Sequence, residues 1–322
     1  MEDVTWALQW MSLVASCPLA KGLNVMFNLV QVLNKCHEEM QGGIFSLGFN
    51  ELLDSLNEYR LAVDEDTWLN QIVPTCRSHP ITDILHQDPY TRRALDRPRG
   101  YAGDAVMMDY VYFQTPPHCT VAGKTVFSAL TTSTNGDSVR WRRLHIADLI
   151  RDLAAKGSGL SVMSVACGHC REVQLLDLAT LGKIARYVAA DQDPLSIQVV
   201  QESTCAPVVV LHTSAKALAH DSSLQSFDFI YSAGLFDYLA DRPAQALSQA
   251  LWAKVKPGGK LLLANFTPDN CGRGYMGAFM DWELVVRTRN DMLKLLPRES
   301  VANSYRYFDP YRNVVYLQVI KA

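Results

Sequence analysis

The segment Leu160-Ser-Val-Met-Ser-Val-Ala-Cys-Gly168 decides the fold class, because a short apolar run ends there in small residues and a glycine. Such a run is typical of a buried β-strand that turns directly into the next element. A second apolar run is closed by Asp191, and the strand candidates are 160–166, 184–190, 207–211, 227–231, 260–265, 304–308 and 313–320. Helical patterns separate them at 171–181, 194–203 and 242–254. Strands that alternate with helices in this way predict an α/β fold with a mostly parallel, doubly wound sheet.

The residues before this sheet differ from it in the spacing of their apolar positions, and the change falls near residue 145. Apolar positions recur there at helical spacing and predict helices at 4–15, 22–40, 49–63 and 66–76. The stretch from 77 to 120 is rich in Pro, Asp, Arg and Tyr and reads as less regular. We therefore predict a helical N-terminal region at 1–145, including a loop that covers a pocket, and a sheet domain at 146–322.

Composition excludes several classes of protein. The 322 residues are 48% hydrophobic and 20% charged, which is enough for a large core. A net charge of −3 lacks the basic field that nucleic-acid binding requires. No apolar run reaches the roughly 18–20 residues that span a bilayer, and the N-terminus is acidic where a secretory signal is basic. We expect a cytoplasmic protein that binds neither nucleic acid nor membrane, and the sequence leaves a homodimer open.

The eight cysteines are scattered singly, apart from the close pair Cys167 and Cys170. This usage suits reduced thiols in a cytoplasm better than a disulfide scaffold. A structural zinc site needs four ligands, and no second Cys or His pair accompanies these two. The sequence therefore predicts no metal site.

Two strand ends indicate a ligand. Gly168 permits the backbone to approach a bound molecule where a side chain would clash. Asp191 follows about 20 residues later, where an acid can accept hydrogen bonds from both hydroxyls of a ribose. A full dinucleotide fingerprint needs three glycines, and only Gly168 is present. Together the two ends favour an adenosine-containing ligand over a purely structural turn.

Two later segments carry a family resemblance, namely Phe227-Asp-Phe-Ile-Tyr231 and Lys256-Pro-Gly-Gly259. With the first two strand ends, they make residues from about 140 to 322 resemble the class I S-adenosylmethionine-dependent methyltransferases. The resemblance implies a Rossmann-like sheet, S-adenosylmethionine as the co-substrate and a small-molecule substrate. The chain departs from the family at Ala166-Cys-Gly-His-Cys170, where the usual pattern is G-x-G-x-G.

The loop Pro98-Arg-Gly-Tyr-Ala-Gly-Asp104 is similar to that of a bacterial subgroup with a helical N-terminal extension. That subgroup resembles enzymes proposed to make methyl 3-hydroxypalmitate, and also those that cyclise S-adenosylmethionine to azetidine-2-carboxylate. The resemblance implies methyl transfer to a carboxylate, hydroxyl or amine in bacterial secondary or signalling metabolism. The alternative is intramolecular cyclisation to azetidine-2-carboxylate and methylthioadenosine. Independently, its two glycines, aromatic residue and acid predict a flexible cover that excludes water from a ligand.

The predicted site residues lie at successive strand ends, in this loop and on the helix before the first strand. Arg140, with Arg142 and Arg143, offers a guanidinium for the carboxylate of the methionine moiety, the alternative being a solvated basic helix face. The predicted cofactor-binding residues are Arg140, Ala166, Cys167, Gly168, Asp191, Gln192, Ser214, Ser232, Ala233 and Gly234. The predicted catalytic residues, chosen by position, are Tyr101, Asp104 and Tyr231. An aromatic face at the site would stabilise a sulfonium cation by roughly 0.5–2 kcal/mol.

Overall fold

A computed structural model describes residues 18–203, 208–297 and 303–322, with side chains from residue 28 onward in the first helix. The helix predicted at 4–15 and the first residue of the predicted strand 207–211 lie outside the described residues. The chain divides into two compact units. One unit, here the helical unit, comprises the described residues up to Leu95 together with 117–129 and 271–281. The other, here the sheet unit, comprises 96–116, 130–270 and 282–322.

The sheet unit is built on a seven-stranded sheet with the order β3-β2-β1-β4-β5-β7-β6. The strands are Leu160–Val165 (β1), Ile184–Asp191 (β2), Val208–His212 (β3), Phe227–Ser232 (β4), Val255–Phe266 (β5), Ser304–Phe308 (β6) and Val314–Ile320 (β7). Strands β1 to β5 pair in parallel, whereas β7 runs antiparallel to both β5 and β6. The predicted α/β fold with a mostly parallel, doubly wound sheet is confirmed.

The order of the strands reverses between β1 and β4, which are neighbours at the centre of the sheet. In open α/β sheets, ligands bind beyond the carboxyl ends of the strands at this point. The Ser232 hydroxyl, at the end of β4, donates to the Val165 carbonyl at 3.0 Å. The Cys167 amide donates to the Ala190 carbonyl at 3.0 Å. The turns after β1, β2 and β4 are thus fixed side by side at one edge.

Helices of the sheet unit cover the sheet, whose strands are apolar because they are buried. Val165, Ile230 and Leu263 belong to one buried cluster that spans β1, β4 and β5. The α-helices of this unit are Ala105–Phe113, Thr134–Lys156, Leu178–Leu181, Pro194–Ser203, Ala215–His220, Asp241–Ala253 and Arg289–Leu293, and its 3₁₀ turns are Val173–Leu175 and Phe236–Tyr238.

The helix predicted at 171–181 is wrong, because the structure has a 3₁₀ turn and a separate one-turn helix there. Leu176 has an extended backbone, which interrupts the helical hydrogen-bond ladder. Asp177 then begins the second piece by accepting a hydrogen bond from the Thr180 amide at 2.7 Å. One continuous helix and these two separate pieces require a similar spacing of apolar residues, so the spacing does not reveal the interruption.

The helical unit contains helices at Pro18–Gln41, Phe45–Ala62, Glu65–Thr67, Val73–Ser78, Ile81–Leu85 and Arg273–Met280, and a π-helical turn at Trp68–Ile72. The helices Pro89–Asp96 and Val121–Thr131 lie mainly in this unit. Its Thr91 hydroxyl and Tyr275 hydroxyl are 2.9 Å apart. In the part of the chain that the structure describes, no helix is both long and apolar enough to cross a bilayer.

The stretch 77–120 is more regular than the sequence predicts, since it contains three short helices. Asp88 accepts hydrogen bonds from the Tyr90 and Thr91 amides, at 3.0 and 2.7 Å, at the start of the helix Pro89–Asp96. Asp104 does the same for the helix Ala105–Phe113. Residues that suggest a loop, Asp and Pro, are here the caps and first positions of helices.

Candidate ligand-binding site

The turn after β1 has left-handed backbone at alternate positions. The φ angles are +54° at Ala166, +53° at Gly168 and +48° at Cys170. These are the positions that hold glycine in the G-x-G-x-G pattern, so the turn has that geometry although two of the three residues carry a Cβ. A left-handed conformation costs a residue with a Cβ roughly 1–2 kcal/mol. The sequence departure therefore changes the side chains of the turn without changing its backbone path.

This geometry gives opposite expectations for two small substitutions. Gly168→Ala should lower the free energy of unfolding by about 1–2 kcal/mol, because φ is positive and the new Cβ would lie 3.1 Å from the Ala105 Cβ. Ala166→Gly should leave stability unchanged or raise it by less than about 1 kcal/mol, because Ala166 is exposed and its strain is relieved. Urea unfolding of both variants measures the difference, and equal stabilities would contradict the assignment of strain.

Asp191, at the end of β2, organises this turn. Its carboxylate accepts hydrogen bonds from the Gly168 amide at 2.7 Å and from the Asp193 amide at 2.9 Å. Burial raises the pKa of Asp191, and these two backbone bonds act in the opposite direction. A carboxylate has about four lone-pair sites, so each oxygen can accept a further bond. Asp191 is therefore a buried acceptor beside the turn after β1, and its ribose-binding role stays a prediction.

The PRGYAGD loop (98–104) is fastened to the turns after β1 and β2 through Arg99. Its guanidinium donates to Asp193 at 2.8 Å, to the Ser196 hydroxyl at 3.0 Å and to Nε2 of His169 at 3.1 Å. The other ring nitrogen of His169 lies 2.7 Å from the Asp109 carboxylate. A proton on Nδ1 satisfies both contacts of this ring, since Asp109 accepts and Arg99 only donates.

Asp109 closes this network, because Arg171 donates to both of its oxygens at 2.8 and 2.7 Å. Burial raises the pKa of Asp109, but the bonds from Arg171 and His169 outweigh it and the net shift is downward. The segment expected to be a flexible cover is thus held by charged hydrogen bonds. Sequence reasoning missed Arg99, His169 and Asp109 as one network, since only the fold brings their distant positions together.

Tyr101 lies in the middle of the loop and close to the β2 turn. Its pKa is raised, first by burial and then by the nearby carboxylates of Asp191 and Asp193. Its ring centroid is 6.3 Å from that of Tyr238, at an interplanar angle of 73°. The structure thus brings Tyr101 to the predicted ribose-binding carboxylate. Its predicted catalytic role stays a prediction.

The other two predicted catalytic residues have hydrogen-bond partners within the fold. Asp104 is fully buried and accepts from the Val106 and Met107 amides at 3.0 Å each, as the N-cap of the helix Ala105–Phe113. Tyr231 is buried and donates to Glu172, and its hydroxyl also contacts that of Tyr187. Burial raises the pKa of Glu172. Both side chains thus have hydrogen-bond partners within the sheet unit, and their predicted catalytic roles stay predictions.

Most predicted cofactor residues lie at the ends of the parallel strands. Gln192 is exposed after β2, whereas Cys167, Ala233 and Gly234 are half-buried in the turns after β1 and β4. Ser214 follows β3 and caps the helix Ala215–His220 by accepting from the Ala217 amide at 3.1 Å.

The side chain of Arg140 forms hydrogen bonds within the fold and does not lie at a strand end. It donates to the carbonyls of Val111 and Thr131, at 3.0 and 2.5 Å, and to Asp137 at 2.6 Å. Its neighbour two positions on, Arg142, is buried and lies beside Gly234: a Cβ on Gly234 would be 3.9 and 4.0 Å from its two terminal nitrogens. Of the predicted arginines, the structure thus places Arg142 at the strand end.

Asp237 follows β4, and burial shifts the pKa of its carboxyl close to neutrality. It is 3% exposed and accepts from the Phe266 amide at 2.7 Å. Burial raises its pKa from 3.8 to about 7, although the Phe266 bond and the charges of Arg142 and Arg287 lower it. Asp237 is therefore largely protonated below neutral pH in the folded protein.

Protonation of Asp237 should make stability depend on pH. Because its pKa is higher in the folded state, its contribution is full below about pH 4 and is lost as the pH rises to about 7. Between pH 5.5 and 8 this one group should lower the free energy of unfolding by about 2 kcal/mol. Urea unfolding of Asp237→Asn should show a correspondingly flatter profile, and the exposed Asp269→Asn should match the wild type. An unchanged slope in Asp237→Asn would contradict the assignment.

Comparison with known proteins agrees with this geometry. Residues 163–263 match the family model described as a methyltransferase domain, and they run from within β1 into β5. Across the described ranges, no three His, Cys, Asp or Glu side chains are grouped as metal ligands. None of the curated proteins compared with the chain matches it.

One solved structure extends the comparison to the fold, and two methyltransferase structures are more distantly similar. A "possible exported protein" from Bordetella parapertussis is 17% identical, with a TM-score of 0.59 over 84% of this chain and 95% of its own. Magnesium protoporphyrin IX methyltransferase from Synechocystis, solved with bound S-adenosylmethionine, is 14% identical, with a TM-score of 0.41 over 58% of this chain and 83% of its own. The N-methyltransferase NodS from Bradyrhizobium japonicum is 12% identical, with a TM-score of 0.39 over 56% and 96% of the two chains. With its methyltransferase domain and its strand order, the chain is an enzyme of the Rossmann-like class I methyltransferase fold.

Proposed function

We propose that this enzyme transfers the methyl group of S-adenosylmethionine to a small-molecule acceptor. The observation that carries the proposal is the carboxylate of Asp191 beside the left-handed turn Ala166–Cys170, within the methyltransferase domain. The acceptor classes that we consider are a carboxylate, a hydroxyl and an amine, in bacterial secondary or signalling metabolism. The net charge of −3 argues against a polyanionic acceptor such as a nucleic acid.

The residues at the turns fit an adenosine. Asp191 keeps free lone pairs for ribose hydroxyls while its two backbone bonds fix its orientation. The absent side chain of Gly168 leaves room for Ala105, whose Cβ would lie 3.1 Å from an added Cβ. The exposed residue of the turn is Ala166, whose small side chain lets a nucleoside approach. Tyr101 places an aromatic ring near the same carboxylate. The fit thus rests on an acceptor, an open approach and an aromatic surface.

The bound co-substrate supplies an electrophilic methyl group and a neutral thioether as leaving group. The protein then needs to activate the acceptor only weakly. Its main task is to align the acceptor and to exclude water. The loop 98–104 suits the second task, because Arg99 fastens it across the turns after β1 and β2. Removing Arg99 would leave the buried carboxylate of Asp193 without its charge partner, which explains why the loop would not open without cost.

The test is to incubate the purified protein with S-adenosylmethionine and to identify the nucleoside by mass spectrometry. We expect an unchanged co-substrate with protein alone, and S-adenosylhomocysteine once an extract containing the acceptor is added. Methylthioadenosine with a four-carbon cyclic amino acid, formed faster than without protein, would replace our proposal by the intramolecular cyclisation. Failure of S-adenosylmethionine to bind at all would exclude both reactions.

A further inference from the structure

The turn after β1 carries a pair of thiols, Cys167 and Cys170, here the thiol pair. The Cys170 amide donates to the Cys167 carbonyl at 2.9 Å, so the four residues from Cys167 to Cys170 form a tight turn. The Cα atoms at the two ends of such a turn lie less than about 7 Å apart. In a disulfide this separation is about 4.4–6.8 Å. The backbone therefore holds the thiol pair at a spacing that a disulfide bond accepts.

The side chains of the thiol pair interact, but they differ in access to solvent. The two thiols share a hydrogen bond. Cys167 is half-buried, whereas Cys170 is only 1% exposed. The Cys170 sulfur lies 3.5 Å from the Tyr187 hydroxyl and 3.7 Å from the Glu172 carboxylate. The thiol pair thus combines an accessible sulfur that can attack a small disulfide with a buried sulfur that can resolve the product.

A catalytic dithiol is another role of a C-x-x-C motif, and it requires a thiol whose pKa is lowered. Here the hydrogen bond to Cys170, followed by burial, raises the pKa of Cys167 well above its ordinary value. Burial raises the pKa of Cys170 as well. Both thiols are therefore protonated at neutral pH, and their exchange with a disulfide is slow. These properties favour a site of occasional modification over a site of turnover.

The thiol pair lies in the turn that contacts the predicted ribose acceptor. The Gly168 amide, between the two cysteines, donates to the Asp191 carboxylate at 2.7 Å. A disulfide bond is about 2.05 Å long, which is shorter than the separation of two hydrogen-bonded thiols. Because Cys170 is buried, closing this bond draws Cys167 and the adjoining Gly168 toward it. Oxidation of the thiol pair should thus disturb the hydrogen bond that orients Asp191.

We propose that Cys167 and Cys170 are a redox-sensitive modification site, at which oxidised glutathione converts the two thiols into a disulfide that weakens nucleoside binding. The effect on binding rests on the proposed function, whereas the formation of the disulfide does not. The two parts of the proposal are therefore tested by separate measurements.

The chemistry consists of two successive thiol–disulfide exchanges. The thiolate of Cys167 attacks one sulfur of oxidised glutathione, whose S–S bond breaks. A mixed disulfide forms, and the first glutathione leaves as a thiolate that takes up the proton lost by Cys167. The thiolate of Cys170 then attacks the Cys167 sulfur and releases the second glutathione in the same way. Two protein thiols are oxidised to one disulfide, and one oxidised glutathione is reduced to two glutathione molecules.

Mass spectrometry after incubation of the full chain with oxidised glutathione tests the disulfide. Once free thiols are alkylated, trypsin releases both cysteines in one peptide, 157–171. In the wild type this peptide should have lost two hydrogen atoms, and reduced glutathione should restore them. In Cys170→Ser it should retain one glutathione, because the resolving thiol is absent. In Cys167→Ser it should stay unmodified, because Cys170 is buried. A wild-type peptide with both thiols free, or with glutathione attached, would overturn the proposal.

Calorimetry with methylthioadenosine tests the effect on binding. The oxidised wild type should bind roughly tenfold more weakly than the reduced wild type. Cys119→Ser should lose affinity on oxidation as the wild type does, because Cys119 is half-buried like Cys167 but lies outside the turn, in the helical unit. Cys167→Ser should bind equally before and after treatment. Equal affinities of the two wild-type forms, or a loss that persists in Cys167→Ser, would overturn the effect on binding.

Thermodynamic reciprocity provides a second readout of the same coupling. If the disulfide weakens methylthioadenosine binding tenfold, saturating methylthioadenosine must raise the ratio of dithiol to disulfide by the same factor. A titration of the wild type in glutathione redox buffers, with and without the nucleoside, measures this ratio, and an unchanged ratio would contradict the coupling. If the reduced wild type does not bind methylthioadenosine at all, the nucleoside site is refuted, and the peptide 157–171 still decides whether the thiol pair forms a disulfide.

Discussion

Replacing Asp191 with Asn should weaken the binding of methylthioadenosine by about 100-fold, which corresponds to about 3 kcal/mol. Asn has nearly the same shape but keeps only one acceptor oxygen, so one of the two backbone amides, that of Gly168 or that of Asp193, loses its acceptor. It loses the negative charge that strengthens bonds from the two ribose hydroxyls. The loss should therefore appear in the affinity for the nucleoside more than in the secondary structure of the protein.

Because Asp191 also holds the Gly168 and Asp193 amides, affinity alone does not separate a ribose contact from a distorted turn. The separation comes from a second ligand, the 2′,3′-dideoxy analogue of methylthioadenosine. The wild type should prefer methylthioadenosine strongly, and Asp191→Asn should bind both ligands equally weakly. If the variant kept the preference, the turn would be the cause and the ribose role would be refuted.

Asp177→Asn is the matched control for this experiment. Asp177 also accepts a backbone amide, that of Thr180, and lies on the surface at the start of a short helix of the same unit. It is not at the end of a strand, so its substitution should leave nucleoside binding unchanged. A comparable loss of affinity in this variant would show that the effect of Asp191→Asn is not specific.

The sheet could be predicted from the sequence because its signal is local. Strands that are buried on both faces of a parallel sheet are apolar at nearly every position. The runs Leu160–Val165 and Phe227–Ser232 have this pattern, so they can be recognised as strands in the sequence. The position of Asp191 at the end of such a run was also local information. Helices started by Asp88 and Asp104 were missed, because a cap and a loop contain the same residue types.

The site could be predicted only in part, for a physical reason. Glycine and acid positions at strand ends follow from topology, which brings the carboxyl ends of parallel strands to one edge. The partners of a long side chain do not follow from topology, since Arg99 reaches Asp193, 94 positions away, and His169, 70 positions away. For the same reason the sequence could not tell Arg140, whose partners are local carbonyls, from Arg142. Such choices depend on distances that only the folded chain sets.

Gly103→Ala should displace the loop 98–104, although the substitution adds only one methyl group. The new Cβ would lie 2.2 Å from the Tyr238 hydroxyl and 2.3 Å from Cζ2 of Trp282, far inside van der Waals contact. These two side chains support each other, because the Trp282 indole donates to Tyr238 at 2.9 Å. The loop cannot retreat freely, since Arg99 fastens it on one side and the Asp104 cap on the other.

We expect the free energy of unfolding to fall by about 1–3 kcal/mol in Gly103→Ala, the usual cost of overpacking. We also expect a loss of methylthioadenosine affinity of roughly tenfold or more, because Tyr101 is two positions away and must move with the loop. Urea unfolding and calorimetry measure the two effects. Gly157→Ala is the control, since nothing lies within 4 Å of its added Cβ and its backbone is extended.

A double variant tests whether the clash itself is the cause. Trp282→Leu removes the indole atoms that meet the new Cβ, so Gly103→Ala should cost less in that background than in the wild type. The two substitutions should therefore be non-additive, as expected for residues in contact. Strict additivity would mean that Gly103→Ala acts elsewhere, for instance through the backbone conformation of the loop. Partial recovery of both stability and affinity would show that the space left by the absent Cβ of Gly103 is required for the loop to support nucleoside binding.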